Sequence, residues 1–140
     1  MATYEADKAK SGVQPREIET GANVVRASYV SEVTHAAADV IQCVKVPSGA
    51  IIDSVVYAAP ISGSAPAQMM CQIGDGDDPN RFGSSTLSSV AFTGNLALGY
   101  QYSLSDAADP FYDTIDVTID AGALTVSQGF VLIVTYHCDD

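Results

Sequence analysis

The segment of this 140-residue chain best suited to chemistry is an acidic turn, Asp75-Gly76-Asp77-Asp78-Pro79-Asn80. Carboxylates at alternate positions can converge on Ca²⁺, as in DxDxDG loops. Here, however, Asn80 stands where that loop requires glycine, and Thr86 stands where it requires a bidentate glutamate. We therefore predict no metal-ligating residue and interpret the segment as a turn whose side chains bond their own backbone, with an incidental Ca²⁺ site as the alternative. Arg81 follows and is predicted to form a screened surface pair contributing at most about 1 kcal/mol.

The sequence offers no recognisable catalytic arrangement. His137 and Cys138 are adjacent, and adjacent side chains of a strand point to opposite faces, so they cannot form a Cys–His dyad. His35 lies in a segment of ambiguous structure, and no GxSxG, GxGxxG, P-loop or HExxH motif occurs. We predict that the protein is not an enzyme, with no catalytic residue, no cofactor-binding residue and no cofactor.

Four aromatic residues and three cysteines complete the candidate groups. The aromatic residues are Tyr100, Tyr102, Phe111 and Tyr112. They could form an exposed platform for a sugar or a subunit contact, but we predict half-buried positions at the edge of a sandwich. The cysteines, Cys43, Cys71 and Cys138, are odd in number and form no CxxC pair. We predict reduced thiols in a reducing compartment.

Charge and hydropathy exclude several classes of partner. The formal net charge is −11, and residues 46–140 contain one base, Arg81, against eleven aspartates. Such a surface cannot neutralise a row of phosphates, so no nucleic-acid partner is expected. The longest apolar run, Phe130–Val134, is far shorter than a membrane span, so no membrane partner is expected. The first residues lack the features of a secretory signal, so we expect no export.

Short β-strands separated by Gly- and Pro-containing turns account for most of the chain. The predicted strands are Val24–Val30, Val40–Val46, Ile51–Tyr57, Met69–Ile73, Ser89–Thr93, Leu96–Tyr102, Thr114–Asp120 and Phe130–Cys138, with a further short strand between Gly122 and Gly129. A helix within residues 28–40 is the alternative to the first strand. Gly94-Asn95 is predicted to form a hairpin turn.

Alternation within the strands predicts which side chains are buried. In Thr114–Asp120, the aliphatic residues face the core, and Thr114, Asp116, Thr118 and Asp120 face water. Phe130–Cys138 is apolar on both faces until His137, which indicates a central strand. The predicted core comprises Val44, Val46, Ile52, Val55, Met69, Ile73, Phe92, Leu98, Ile115, Val117, Ile119, Val131, Leu132 and Val134.

These elements predict an all-β fold, an antiparallel β-sandwich or barrel, in one domain of residues 24–140. Residues 1–23 are polar and aperiodic. We predict that they form an extended N-terminal arm, ordered mainly by contact with another molecule.

Three segments, Val44–Ile52, Ile73–Phe82 and Val134–Tyr136, also carry a family resemblance. Over residues 24–138 the chain resembles small virion structural proteins of tailed bacteriophages, and most of all their capsid decoration (cement) proteins. The resemblance implies a jelly-roll-like sandwich that forms a homotrimer on the outside of the capsid. It implies the major capsid protein as partner, an extended terminal arm as a clamp, synthesis in the host cytoplasm and location in the virion. No catalytic residue carries over from this family.

Two other functions compete with that interpretation. The first is a carbohydrate- or receptor-binding module of a virion fibre that uses Tyr100, Tyr102 and Tyr112, with Ca²⁺ at Asp75–Asp78. The second is a small trimeric enzyme of dUTPase-like size, for which the sequence lacks an Asp-centred nucleotide motif.

Overall fold

A computed structural model describes residues 2–6, 9, 23–47, 49–58, 64, 69–85, 92–94, 100–102 and 112–138. Over these ranges the chain forms nine β-strands and no helix, and therefore no helix that could span a membrane. The strands are β1 (Thr3–Glu5), β2 (Asn23–Val30), β3 (Val40–Pro47), β4 (Ala50–Ala58), β5 (Met69–Gly74), β6 (Gly83–Ser85), β7 (Phe92–Gly94), β8 (Tyr112–Gly122) and β9 (Gly129–Cys138).

The strands form two sheets that enclose one core, which confirms the predicted all-β sandwich. The first sheet has the order β1-β3-β8-β5-β6 and the second the order β2-β9-β4-β7. All pairs are antiparallel except β1–β3, which is parallel. Strand β9 lies between β2 and β4, so its apolar faces mark a central strand as predicted.

The core is built from the inward residues of both sheets. Twelve of the fourteen predicted core residues are buried, and the other two cannot be compared, because the side chain of Phe92 and all of Leu98 lie outside the described residues. Three large side chains that the sequence did not single out, Phe82, Phe130 and Tyr136, are also fully buried. Burial of each aliphatic or aromatic side chain contributes roughly 1.5–3 kcal/mol before the cost of chain ordering.

Some predicted elements differ from the structure. Strand β2 replaces the alternative helix at residues 28–30, and residues 31–39 form bends and a turn with a bridge at His35. The short strand predicted between Gly122 and Gly129 is wrong: Leu124 makes only an isolated bridge to His35. The turn that follows has a positive φ of 68° at Ser127, which a continuing strand would not allow.

Two further segments can be compared only in part. Of the two strands predicted over residues 89–102, Phe92–Gly94 forms β7, and Gln101 makes an isolated bridge to Ile51. The predicted Gly94-Asn95 turn falls partly on residues outside the described ranges, whereas β6 was not predicted.

The beginning of the chain packs onto its own sandwich. Strand β1 pairs with β3, placing Tyr4 opposite Ile41, and Ala6 is buried in the core. The amide of Val40 donates a 2.8 Å hydrogen bond to the carbonyl of Ala2. The expectation that contact with another molecule orders the arm therefore does not hold for residues 2–6, while residues 10–22 lie outside the described part.

Candidate functional site

The acidic turn after β5 is organised around one buried carboxylate, that of Asp75. Its Oδ1 accepts hydrogen bonds from the amides of Asp77, at 3.1 Å, and Asp78, at 2.9 Å. The amide of Asp75 donates to the carbonyl of Asp78 at 3.0 Å, which closes the turn. The predicted bonding of an aspartate to its own backbone is therefore confirmed at Asp75.

Two distant side chains also bind this carboxylate. Arg81 donates from Nε to Oδ2 at 2.6 Å and from Nη2 to Oδ1 at 3.3 Å, and the hydroxyl of Tyr102 donates to Oδ2 at 2.8 Å. Burial by itself would raise the pKa of Asp75, but the hydrogen bonds from Arg81, Tyr102 and Asp78 outweigh it and lower that pKa.

The predicted surface ion pair is wrong, because the pair is largely withdrawn from solvent. The side chain of Asp75 is 1% exposed and that of Arg81 is 15% exposed. The guanidinium of Arg81 also packs on the ring of Tyr100, with its Cζ 3.9 Å from the ring centroid. The ring therefore covers the cation on a second side. Removal of either partner would leave the other charge largely buried without its counter-ion.

The tyrosines beside this turn do not form an exposed platform. Tyr102 is fully buried, and Tyr100 is half-buried against the core, with the two rings edge-to-face at 5.0 Å. Backbone hydrogen bonds to the carbonyls of Ala50 and Tyr100 attach this segment to β4. The half-buried prediction is thus confirmed for Tyr100, and Tyr102 is buried more deeply. Phe111 and the side chain of Tyr112 lie outside the described residues.

The polar face of β8 is also partly buried, which corrects a second prediction. Thr114 is 8% exposed and Asp116 only 4% exposed, although both were predicted to face water, whereas Asp120 is exposed as predicted. Oδ1 of Asp116 has no hydrogen-bond partner in the described part of the chain. The pKa of Asp116 is raised to about 8, mainly by burial and further by repulsion from Asp113 and Asp75. A hydrogen bond with Thr114 has the opposite effect and lowers it.

Asp113, at the start of the same strand, is 8% exposed. Burial raises its pKa to about 6, although its Oδ1 accepts a 2.8 Å hydrogen bond from the amide of Thr114. Three aspartates, those at positions 75, 113 and 116, thus lie in low-dielectric surroundings on the five-stranded sheet, and their pKa values are shifted in different directions, down for Asp75 and up for Asp113 and Asp116.

A cavity of about 280 Å³ adjoins Asp116 on this sheet. Its floor is formed by Val40, Gln42, Asp116 and Thr118, which the β3–β8 register pairs as Val40 with Thr118 and Gln42 with Asp116. The turn residues Asp75, Gly76 and Pro79 form one wall, and Thr3 and Ala38 form another. Ala38, Gly76 and Pro79 are exposed, so the cavity has a rim that reaches solvent.

The two histidines have separate structural surroundings. His35 is fully buried, its Nε2 lies 2.7 Å from the hydroxyl of Tyr29, and the ring of Tyr4 packs edge-on at 4.2 Å. Burial lowers the pKa of His35, against an opposing effect of Asp39. His137 is partly exposed, with Nδ1 2.9 Å from Oδ2 of Asp53 on the neighbouring strand.

A second concave region, of about 390 Å³, lies between the edge strands β1 and β2. Tyr4 and Ala6 line it from one sheet, and Tyr29 and Val30 from the other. Exposed apolar side chains occur along β2 and just after it: Val24 and Val30 are 55% and 37% exposed, and Val33, in the bend that follows, is 47% exposed. In the part of the chain that the structure describes, β2 pairs with β9 alone, so its other edge is open.

No metal-binding group of three or more His, Cys, Asp or Glu side chains occurs within the described ranges. The three cysteines, all of which fall in those ranges, form no disulfide; Cys43 and Cys71 are buried and Cys138 is partly exposed.

Comparison with known proteins extends the description of the fold. No protein-family model and no curated protein matches the sequence. The structure is similar to a chain from the capsid of Ralstonia phage GP4, with a TM-score of 0.77 and 16% identity over 99% of both chains. It is also similar to a chain from the capsid asymmetric unit of cyanophage Pam1, with a TM-score of 0.66 and 19% identity over 94% of this chain and 99% of that one. The chain thus shares its β-sandwich fold, over nearly its whole length, with chains found in two phage capsids.

Proposed function

We propose that this protein is a structural component of a bacteriophage particle that binds the outside of the capsid lattice and stabilises it, as a decoration or cement protein without enzymatic activity. The observation that carries the proposal is the end-to-end likeness of its fold to a chain from the GP4 capsid, covering 99% of each. A second capsid chain, from Pam1, supports the same role. Because a fold alone does not determine a function, the strand order, the charge and the surface of this chain must also be consistent with the proposed role.

The strand order supports a jelly roll, the form of sandwich that the family resemblance implies. Apart from β1, eight strands form two four-stranded arrays, β2-β9-β4-β7 and β3-β8-β5-β6. Strands that follow each other in sequence lie in opposite sheets, except β5 and β6, which form a hairpin. Two interlocked four-stranded sheets of this kind are found in jelly rolls, including those of viral capsids.

Charge supports a position on the outside of the shell. A chain with a net charge of −11 would repel packaged nucleic acid, whereas on the outer surface the same charge would keep particles apart. A protein that binds only the assembled lattice stabilises it by mass action, in proportion to its affinity and concentration.

The open β2 edge is our candidate for contact with the major capsid protein or with other copies in a homotrimer. Its outer backbone groups, which pair with no strand among the described residues, and its exposed valines, Val24 and Val30, could receive a strand from a neighbour. Residues 10–22 include Lys10 and Arg16, and we propose that this part of the arm reaches the neighbouring subunit. Carbohydrate binding gains no such support, because Tyr102 is buried and Arg81 covers Tyr100.

The decisive experiment uses virions of the phage that encodes this chain. Antibodies raised against the protein should label intact particles, and particles stripped of the protein should lose heat stability and regain it when the purified protein is added back. Absence from purified particles would contradict a virion role, and labelling only after particle disruption would contradict an external position. A solution mass three times that of the 14.6-kDa chain would support the trimer.

A further inference from the structure

The cavity on the five-stranded sheet has the composition of a binding site for an organic cation. Asp116 lines this cavity and is only 4% exposed to solvent. One of its carboxylate oxygens, Oδ1, has no hydrogen-bond partner among the described residues. A buried carboxylate oxygen without a hydrogen-bond donor destabilises the folded protein. The site therefore lacks a donor, and a ligand that supplies N–H groups would complete it.

The nearby bases of this chain are engaged elsewhere. Arg81 donates both of its described hydrogen bonds to Asp75 and packs on Tyr100. Lys45, the register partner of Thr114, is buried with contacts of its own and is not among the groups that perturb Asp116. Neither of these two described bases is therefore a counter-ion for Asp116.

Other features of the cavity favour a small planar or tetrahedral head group over a metal ion. Besides Asp116, its floor offers the hydroxyl of Thr118 and the amide of Gln42, beside the apolar Val40. The carboxylate of Asp75 already accepts five hydrogen bonds within the chain, so Asp116 is the one acid with a vacant acceptor among the described lining residues. One carboxylate suits a single positive charge, whereas a hard divalent cation requires several oxygen ligands.

We propose that this cavity binds the guanidinium or primary ammonium head of a basic side chain from another protein, with Asp116 as its counter-ion. The apolar floor would contact the methylene stem and the exposed rim would admit it. The acidic charge of the body would attract such a side chain from a distance. Assigning the side chain to the capsid lattice rests on the proposed function, but binding of the head group itself does not.

Binding should depend on pH because the free site favours the protonated acid. The charged groups that face Asp116 are Asp113 and Asp75, both negative when ionised, with Thr114 as a hydrogen-bond partner. A bound cation would lower the pKa of Asp116, which is about 8 in the free protein. By linkage, the affinity should rise up to about tenfold per pH unit between pH 6 and 8 and then level off.

The test is a titration of the full chain and of its variants with ethylguanidinium and with n-butylammonium, followed by the backbone amide NMR signals of Gln42 and Gly76, which line the cavity. We expect saturable shifts with both probes and none with tetramethylammonium, which has no N–H donor. Asp116→Asn should weaken binding at least tenfold and Thr118→Val several-fold, whereas the exposed Asp120→Asn should leave it unchanged.

Three results would overturn the proposal: no saturable shift, equal binding of tetramethylammonium, or unchanged binding by folded Asp116→Asn protein. Spermidine that binds more than tenfold tighter than n-butylammonium would assign the site to a free polyamine and overturn the side-chain source. If the probes bind but the protein is absent from virions, the proposed function fails while the head-group site stands.

Discussion

The hydroxyl of Tyr102 donates a 2.8 Å hydrogen bond to Oδ2 of Asp75, joining segments 27 residues apart. Asp75 directly follows β5 of the five-stranded sheet, whereas Tyr102 belongs to a segment bridged to β4 of the other sheet. The bond therefore ties the two layers of the sandwich together at one end. Arg81 completes the junction by binding the same carboxylate.

Asp75→Ala should be strongly destabilising. It removes the acceptor of Tyr102 and leaves the Arg81 guanidinium largely buried without a counter-ion. Loss of one member of such a pair costs about 3–5 kcal/mol, less where the remaining charge can reach water. Urea unfolding of the variant measures this cost. The control is Asp77→Ala, which removes an exposed carboxylate of the same turn and should change the free energy of unfolding by less than about 0.5 kcal/mol. Equal effects of the two substitutions would show that the junction is not stabilising.

Gly74→Ala should destabilise the turn by steric overlap. A Cβ at position 74 would collide with the carbonyl oxygen of Asp78 and lie 2.5 Å from the carbonyl carbon of Pro79. Overpacking against backbone costs about 1–3 kcal/mol or more. Gly76→Ala is the matched control, because a Cβ there has no atom within 4 Å. Thermal unfolding should show a lower Tm for the first variant alone; an unchanged Tm would mean that the turn can move away from the sheet.

Asp116→Asn should make the protein less sensitive to rising pH. The folded-state pKa of about 8 exceeds the ordinary value of 3.8 for an aspartate, so the folded protein binds more protons than the unfolded chain between these limits. Stability is therefore lost as the pH rises from about 4 to 8, and an amide, which cannot ionise, avoids that loss. The variant should gain on the order of 1–3 kcal/mol over the original protein at pH 8 and little at pH 4. The exposed Asp120→Asn serves as control; the same slope in all three proteins would refute the buried ionisation.

His35→Gln should remove a loss of stability on mild acidification. The pKa of His35 is lowered on folding, so the unfolded chain takes up the proton first as the pH falls below 6.5. The resulting destabilisation is at most about 2 kcal/mol between pH 6.5 and 5. Because Asp113 and Asp116 contribute the opposite pH dependence in every variant, the quantity to measure is the free energy of unfolding of each variant relative to the original protein. As the pH falls across this range, that difference should rise for His35→Gln and stay constant for the control His137→Gln. A constant difference for His35→Gln would contradict the prediction.

The strands were predictable because their signal is local. Short runs rich in apolar residues, most of them bounded by glycine or proline, locate β3, β4, β5 and β9 to within one residue of their observed ends. The three-residue strands β1 and β6 are too short to carry a period, and β1 forms because β3 offers an open edge.

The candidate site depended on contacts that no local pattern encodes. Asp116 has the spacing of a solvent-facing residue, and its burial depends on a neighbouring turn, Gly74–Arg81, that folds back beside the same face. Arg81 and Asp75 are close in sequence, but Tyr102, which helps to bury them, is remote. Gly74 was the one local indication of this packing, because only a residue without a Cβ allows the backbone of Asp78 and Pro79 to lie so close to position 74.

The alternation of consecutive strands between the two sheets has a consequence for biosynthesis. Strand β9, the last of the described strands to be synthesised, is the hydrogen-bonded neighbour of both β2 and β4. The second sheet therefore cannot close until residues 129–138 have emerged from the ribosome. Such long-range pairing makes folding slow and leaves apolar edges open to aggregation meanwhile, so high-level expression should benefit from reduced temperature or from a chaperone.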